Sequence, residues 1–419
     1  MTSAPAATVT AADVDEAAGR LRAVIGPSPL QICARLSDAV GGEVWLKRED
    51  LQPVRSYKIR GAYNLVAQLT AAERERGVVC ASAGNHAQGV AFACARLGVT
   101  ARIYLPRTTP RQKRDRVARL GGRVVETVVV GNTYDDAAAA AAADAASTGA
   151  TLVPAFDDPR TVAGQGTVAR EVLHQLADPP DQVIVPVGGG GLLAGTLVYL
   201  RERHPGVRII AVEPAGAASL TAALRAGAPT TLDTVEPFVD GAAVRRVGDV
   251  TFPIAQAADV EVHAVEEGRI CVEMLHLYQT DGIIAEPAGA LASAAIGQLD
   301  LPHGSTTVCL LSGGNNDVSR YADILERALV WQGRKHYFLV EFPQEPGALR
   351  RFLDETLGPD DDITLFEYVK RSNRETGPAL VGIELGDPAD LAPLLERMAA
   401  APPTIERIPP DSPLFRFLL

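Results

Sequence analysis

Between Gln182 and Arg203 the chain reads Val-Ile-Val-Pro-Val, then four consecutive glycines, then an apolar run with no charge before Arg201. No other stretch restricts the fold as much. Val183 to Leu200 is uncharged and nearly long enough to span a membrane, but Pro186 and five glycines interrupt it. It therefore reads as strand, tight loop and helix. A strand of continuous branched residues is buried on both faces, as in parallel sheets covered by helices. Four residues without Cβ at the strand–helix junction let backbone N–H groups converge on one anion, and the helix N-terminus adds its dipole. The run lacks the G-x-x-x-x-G-K-[ST] pattern, so it is read as a phosphate cradle and not as a nucleotide P-loop.

The same alternation extends over most of the chain. Strands are expected at 43–48, 76–81 (with Val78-Val79-Cys80-Ala81 as its apolar part), 101–105, 123–130, 182–187, 208–212 and 307–311. Helices are expected at 13–23 with Asp13 as its cap, from Lys58, and at 87–97, 110–120, 133–148, 165–176, 191–203 and 321–328. This is an open parallel α/β architecture, whose ligands sit at strand carboxyl ends beside helix N-termini. The pattern then changes. Strand 336–342, helix 346–357 with Pro346 in its first turn, strands 363–370 and 379–385, helix 388–400 and strand 404–408 spell βαββαβ, a ferredoxin-like α+β module. A chain of 419 residues exceeds one ordinary core. The expected division is 1–320, a linker at 321–335, and 336–419.

The 40 basic and 51 acidic residues leave a net charge of −11, which argues against nucleic acid or an anionic membrane as partner. The five cysteines (Cys33, Cys80, Cys94, Cys271 and Cys309) are scattered without C-x-x-C spacing, so they read as small core residues in a reducing compartment. The start of the chain lacks a basic segment followed by an apolar run, and Asp13, Asp15 and Glu16 oppose a transit peptide. A cytoplasmic protein is expected. Residues 1 to about 12 are rich in Ala, Thr and Ser and are expected to fray.

Three further stretches carry chemistry. Ser56-Tyr57-Lys58-Ile59-Arg60-Gly61-Ala62 offers a lysine, which in its neutral form makes a Schiff base with an aldehyde. Alone, Lys58 would be read as a surface residue; beside a phosphate cradle it points to pyridoxal phosphate. Ser82-Ala83-Gly84-Asn85-His86 opens a helix, where successive amides bind a carboxylate. Asn85 serves there either as donor to an oxygen of the cofactor ring or as an ordinary helix cap, and His86 reads as structural. Ser312 precedes Gly313-Gly314-Asn315-Asn316 and either faces the pyridine nitrogen or caps a turn. A neutral partner there favours elimination at the β carbon over long-lived carbanion chemistry.

In this order, SYKIRGA, SAGNHAQG, GGGGL, EPAGA and SGGNN resemble the threonine dehydratases (threonine ammonia-lyases) of the tryptophan-synthase-β-like, fold-type-II pyridoxal-phosphate family. The likeness covers roughly residues 25–320. It implies that Lys58 binds the cofactor covalently and, once released, removes the Cα proton. It also implies that Tyr57 neighbours the ring, that Asn85 meets the phenolic oxygen, and that the amides of Gly188, Gly189, Gly190, Gly191 and Leu192 hold the phosphate. Ser312 then meets the pyridine nitrogen, and Ser82, Ala83, Gly84, Asn85 and His86 form the loop for the substrate carboxylate. The related serine racemases carry a second serine where Ala83 stands, so racemisation is not expected. They also bind a divalent cation through a carboxylate at the position of Ser219, near Glu213, so no metal is expected here. Phe342-Pro343-Gln344-Glu345-Pro346-Gly347-Ala348-Leu349 is similar to the ACT-like regulatory domain of biosynthetic threonine dehydratases. The implied function is deamination of L-threonine, with L-serine as a second substrate, to open isoleucine biosynthesis in a homotetramer inhibited by isoleucine. Another β-replacing enzyme, a catabolic deaminase indifferent to isoleucine and a non-catalytic amino-acid sensor are the alternatives.

Overall fold

The computed structural model describes residues 9–368, 375–401, 403–410 and 412–418. The expected frayed start over residues 1–8, and Val369 and Lys370 at the end of an expected strand, lie outside the described residues. Two compact units divide the chain: one runs to Glu267 and includes His276–Asn316, and the other comprises Gly268–Leu275 and the chain from Asp317 onward.

The first unit holds two sheets. The larger has six strands in the order Leu30–Ile32, Glu43–Arg48, Thr306–Leu311, Gln182–Pro186, Arg208–Pro214, Glu261–Val265. All neighbours are parallel except the Leu30–Ile32 edge. The smaller runs Val125–Val129, Ala101–Leu105, Val78–Ala81, Thr151–Leu152 and is parallel throughout. Every residue of Gln182–Pro186 is buried, as its branched composition requires of a strand covered on both faces. Each sheet has its own apolar core, one built around Leu192, Leu193 and Ile209, the other around Ile59, Leu65 and Ile103.

The Lys58–Ala67 helix is pinned between these layers. A Cβ on Gly89 would lie 2.9 Å from the Lys58 carbonyl oxygen, and one on Gly164 would lie 2.7 Å from the Arg60 carbonyl oxygen. The helices Asn85–Leu97 and Pro159–Gln175 thus press backbone to backbone against the turn that starts at Lys58. Arg60 adds a buried ionic tie: its guanidinium donates to Glu49 at 2.7 and 2.8 Å and to Glu171 at 2.6 and 2.8 Å. Lys47 bonds Glu171 at 2.6 Å. Two cations and two carboxylates balance, which buried charges require. Burial alone would push the Glu49 carboxyl up, but attraction to Arg60 and hydrogen bonds from it hold it below the usual range.

Several expectations shift. Thr10, not Asp13, caps the first helix, Ala11–Leu21, and Asp13 returns the bond from the third position of a capping box. Helix 165–176 begins earlier, at Pro159, where Asp158 accepts the Arg160 amide and proline takes the first turn.

In the second unit an antiparallel sheet runs Asp362–Tyr368, Thr376–Glu384, Lys335–Pro343, Thr404–Ile408. That is the order of a βαββαβ ferredoxin-like module. Helices Ala348–Thr356 and Leu391–Ala400 pack on it over a core of Phe338, Val340, Phe342, Phe352 and Leu394. Pro346 precedes its helix instead of sitting in the first turn, because Gly347 caps the start in a left-handed conformation with φ 89°. Tyr321–Trp331, across most of the expected linker, is helical.

Candidate active site

The strands ending at Ala81, Pro186 and Leu311 all deliver their following loops to one cavity of about 660 Å³. Its wall contains every residue assigned above to the cofactor or the substrate carboxylate: Tyr57, Lys58, residues 82–86, Gly188 to Leu192, and Ser312. No helix among the described residues is long and apolar enough to cross a membrane. The run from Val183 to Leu200 folds instead as strand, loop and helix.

Lys58 is the first residue of its helix and is half-buried. Its ammonium donates to the Ala155 carbonyl at 3.0 Å and lies 5.2 Å from the centre of the Tyr57 ring. The backbone contact at Gly89 holds the main chain of Lys58 in place, and its side chain reaches the cavity wall.

Three of the four glycines leave no room for a side chain. A Cβ at Gly189 would lie 2.3 Å from the Phe156 ring, and one at Gly191 would lie 2.9 Å from the Phe156 Cβ. Gly190 has φ 90°, and its Cβ would lie 2.8 Å from Thr251 Oγ1. Thr251 holds the loop from outside by donating to the Gly189 carbonyl at 2.7 Å. The first intrahelical bond is Ala194 N–H to the Gly190 carbonyl, so the amides before it have no helical acceptor. With the dipole of Gly191–Arg203 behind them, they form an anion cradle. An anion cradle and a primary amine in one cavity suit a phosphate-bearing aldehyde.

Asn85 does not cap its helix with its side chain. Its Nδ2 donates to Glu286 Oε1 at 2.5 Å, and its Oδ1 accepts from Asn315 Nδ2 at 2.6 Å. Ser82 Oγ accepts the Gly84 amide at 3.3 Å, which shapes the turn. His86 is buried; its Nε2 pairs with the Val153 carbonyl at 2.8 Å, and Nδ1 has no partner among the described residues. Burial, reinforced by the positive charge of Lys58, lowers the His86 imidazole to about 4, so it is neutral at physiological pH. Ser312 is buried and donates to the Ala288 carbonyl at 3.0 Å, which leaves an acceptor lone pair for the cavity. Burial, reinforced by repulsion from Asp240, pushes the Glu286 carboxyl up to about 7, against the pull of Asn85, Lys113 and the Asn315 amide. Glu213 stands apart from this wall: it accepts the amides of Leu220 and Thr221, both at 2.9 Å, at the start of Ser219–Ala226.

Phe156, Thr251, Glu286 and Asn315 were not assigned tasks from sequence. Glu286 and Asn315 lie inside the EPAGA and SGGNN motifs, so the motifs were a signal for them. Phe156 and Thr251 belong to no motif, and only tertiary packing brings them under the glycine loop.

Residues 21–313 match the family described as pyridoxal-phosphate dependent enzyme, and residues 326–418 match the C-terminal regulatory domain of threonine dehydratase. The chain is 61% identical over 419 residues to a Mycobacterium tuberculosis protein named L-threonine dehydratase biosynthetic IlvA, covering 100% of this chain and 98% of the relative. A Bacillus subtilis protein of the same name is 47% identical over 397 residues, 94% of each chain. Among solved structures, the processed form of threonine deaminase isoform 2 from Solanum lycopersicum matches with a TM-score of 0.70 and 37% identity, over 77% of this chain and 95% of that one. Serine racemase from Dictyostelium discoideum matches with a TM-score of 0.69 and 31% identity, over 74% of this chain and 100% of the other.

Proposed function

The chain belongs to the fold-type-II pyridoxal-phosphate-dependent enzyme family, in its threonine dehydratase branch, and from that premise we propose how its residues perform the reaction. It is a lyase that depends on pyridoxal phosphate and converts L-threonine to 2-oxobutanoate and ammonia, the first committed step of isoleucine biosynthesis. The observation that carries the assignment of roles is the convergence of sequence-distant stretches on the single cavity that holds Lys58.

When bound, the cofactor supplies an aldehyde and an electron-withdrawing ring that acidify the Cα–H of an attached amino acid. The residues do the rest. Lys58 would hold the cofactor through Nζ, and its free amine would be the base that takes the Cα proton. The amides of Gly188 to Leu192 bind the phosphate, and Tyr57 lies beside the ring. The helix start at Ser82 to His86 receives the substrate carboxylate on its amides. Asn85 would donate to the phenolic oxygen, and Ser312 would turn its hydroxyl hydrogen from the Ala288 carbonyl to donate to the ring nitrogen as a neutral partner. Neutral His86 anchors the loop through Val153. The β-hydroxyl would leave as water, the proton it gains balanced by the one that Lys58 removed from Cα; the released enamine takes up water and gives 2-oxobutanoate and ammonia. Ala83 offers no hydroxyl to the opposite face of the substrate, so the enzyme is read as an eliminase and not a racemase.

The ferredoxin-like module belongs to a regulatory domain. Isoleucine is its effector in this reading, the chain assembles as a cytoplasmic homotetramer, and L-serine is a second substrate. The catalytic part spans about residues 1–320 and the regulatory part 336–419, with the helix at Tyr321–Trp331 in the connecting segment. Purified protein is expected to form 2-oxobutanoate from L-threonine, with L-isoleucine suppressing turnover. Lys58→Ala removes turnover and the visible absorbance of bound cofactor together. Full turnover in that variant eliminates the assigned role, and turnover indifferent to isoleucine demotes the tail to assembly.

A further inference from the structure

Glu286 lies in the wall of the cavity, is only 5% exposed and takes no part in phosphate or carboxylate binding. A chain of bonds leads from it to Asn85 and determines how the Asn85 amide is turned. The Val54 carbonyl can only accept, so Asn315 presents Nδ2 to it, at 2.9 Å. The same Nδ2 gives its other hydrogen to Asn85 Oδ1 at 2.6 Å. Asn85 is thereby forced to turn Nδ2 toward Glu286, whose Oε1 accepts at 2.5 Å. The backbone N–H of Asn315 also bonds the Glu286 carboxyl.

The carboxyl itself is held firmly. Glu286 precedes the Pro287–Ala294 helix, with proline in the first turn, and its own amide bonds the Gly313 carbonyl at 3.2 Å. Space for the carboxyl exists only because residue 313 is glycine: a Cβ there would lie 2.3 Å from Oε1. A primary amide nitrogen carries two hydrogens. Glu286 takes one, and the other remains for the cavity.

We propose that Glu286 is a positioning residue of the active site: by holding one N–H of Asn85 it orients the second for the phenolic oxygen of the cofactor. This rests on the reading that Asn85 meets that oxygen. A hydrogen bond there favours the ionised oxygen, and so it sets both the affinity for the cofactor and the position of its visible absorption band.

The test compares wild type, Asn85→Ala, Glu286→Ala, Glu286→Gln and the double variant Asn85→Ala/Glu286→Ala. Cofactor-free protein is titrated with pyridoxal phosphate, and the visible spectrum of the loaded protein is recorded. Glu286→Ala is expected to weaken cofactor binding about tenfold and to move the band in the direction that Asn85→Ala moves it. In the Asn85→Ala background it should do neither, because the group it acts through is gone. Glu286→Gln keeps one carbonyl oxygen for Asn85 and should recover most of the affinity and the band. An undiminished effect of Glu286→Ala in the absence of Asn85 overturns the proposal. So does a wild-type spectrum and affinity in folded Glu286→Ala. If the alanine variant does not fold, Glu286→Asp, which withdraws the carboxylate by one methylene, replaces it in the same comparison. Wild-type behaviour of Asn85→Ala removes the reading of Asn85 and the relay with it; an effect of Asn85→Ala with none of Glu286→Ala removes Glu286 alone.

Discussion

Two buried side chains of the cavity titrate in opposite directions, and together they predict how the cofactor-free protein responds to pH. The Glu286 carboxyl lies at about 7 in the folded chain against an ordinary 4.5. Between those values the folded state keeps a proton that the unfolded chain has lost, so stability falls as pH rises across that window. The His86 imidazole lies at about 4 against an ordinary 6.5. Between those values the unfolded chain binds a proton that the folded state refuses, so stability falls as pH drops across that window. Each group contributes up to roughly 3 kcal/mol. Denaturant unfolding of cofactor-free protein is expected to show that Glu286→Gln removes part of the decline between pH 4.5 and 7, and that His86→Asn removes part of the decline between pH 6.5 and 4. An unchanged slope in either variant refutes the assignment for that residue. The motifs around Lys58 and Ser312 led the sequence analysis to one site, and both residues line the cavity. The partnership of Asn85 with Glu286 was not legible, because it joins positions 201 residues apart.

Among the elements, the strand–glycine–helix unit came through as expected, with the strand at Gln182–Pro186 and the helix from Gly191. The sequence could not show why glycine is required at each position. At Gly189 the reason is Phe156, which fills the volume a Cβ would take. Gly189→Ala is therefore expected to displace the cradle and weaken binding of pyridoxal phosphate by about tenfold, at a stability cost of roughly 1–3 kcal/mol. Adding Phe156→Ala should restore part of the affinity. Titration of the two variants decides this, and no recovery in the double variant means that Phe156 is not what excludes the side chain. The helix at Pro159–Gln175 carries the complementary lesson. Gly164 and Gly166 weaken its propensity and hide its first turns, yet Gly164 is the seat on which the backbone of Arg60 rests.

At the scale of the whole molecule, a catalytic unit with one largely parallel and one fully parallel sheet and a unit with one antiparallel sheet share a single chain. A ligand that binds one folded unit raises the stability of that unit by mass action. Calorimetry of the loaded enzyme is expected to show L-isoleucine raising an unfolding transition, by about 2.7 kcal/mol at a hundredfold excess over its dissociation constant. L-Threonine at the same concentration should not reproduce that shift in Lys58→Ala protein. No shift with isoleucine argues against an effector site.

The sequence by itself determined the fold class of both units and the order of the motifs whose residues line the cavity. These depend on local properties: hydrophobic periodicity, missing Cβ atoms at strand–helix junctions, and a lysine, an asparagine and a serine in the loops and helix starts that follow strands. Only the tertiary structure decided what holds them. The ionic tie around Arg60, the Phe156 support beneath the glycines and the Glu286–Asn85–Asn315 relay each join segments far apart in the chain. Such contacts leave no period and no local composition to read, because they exist only after the sheets have folded and the loops at their ends have met.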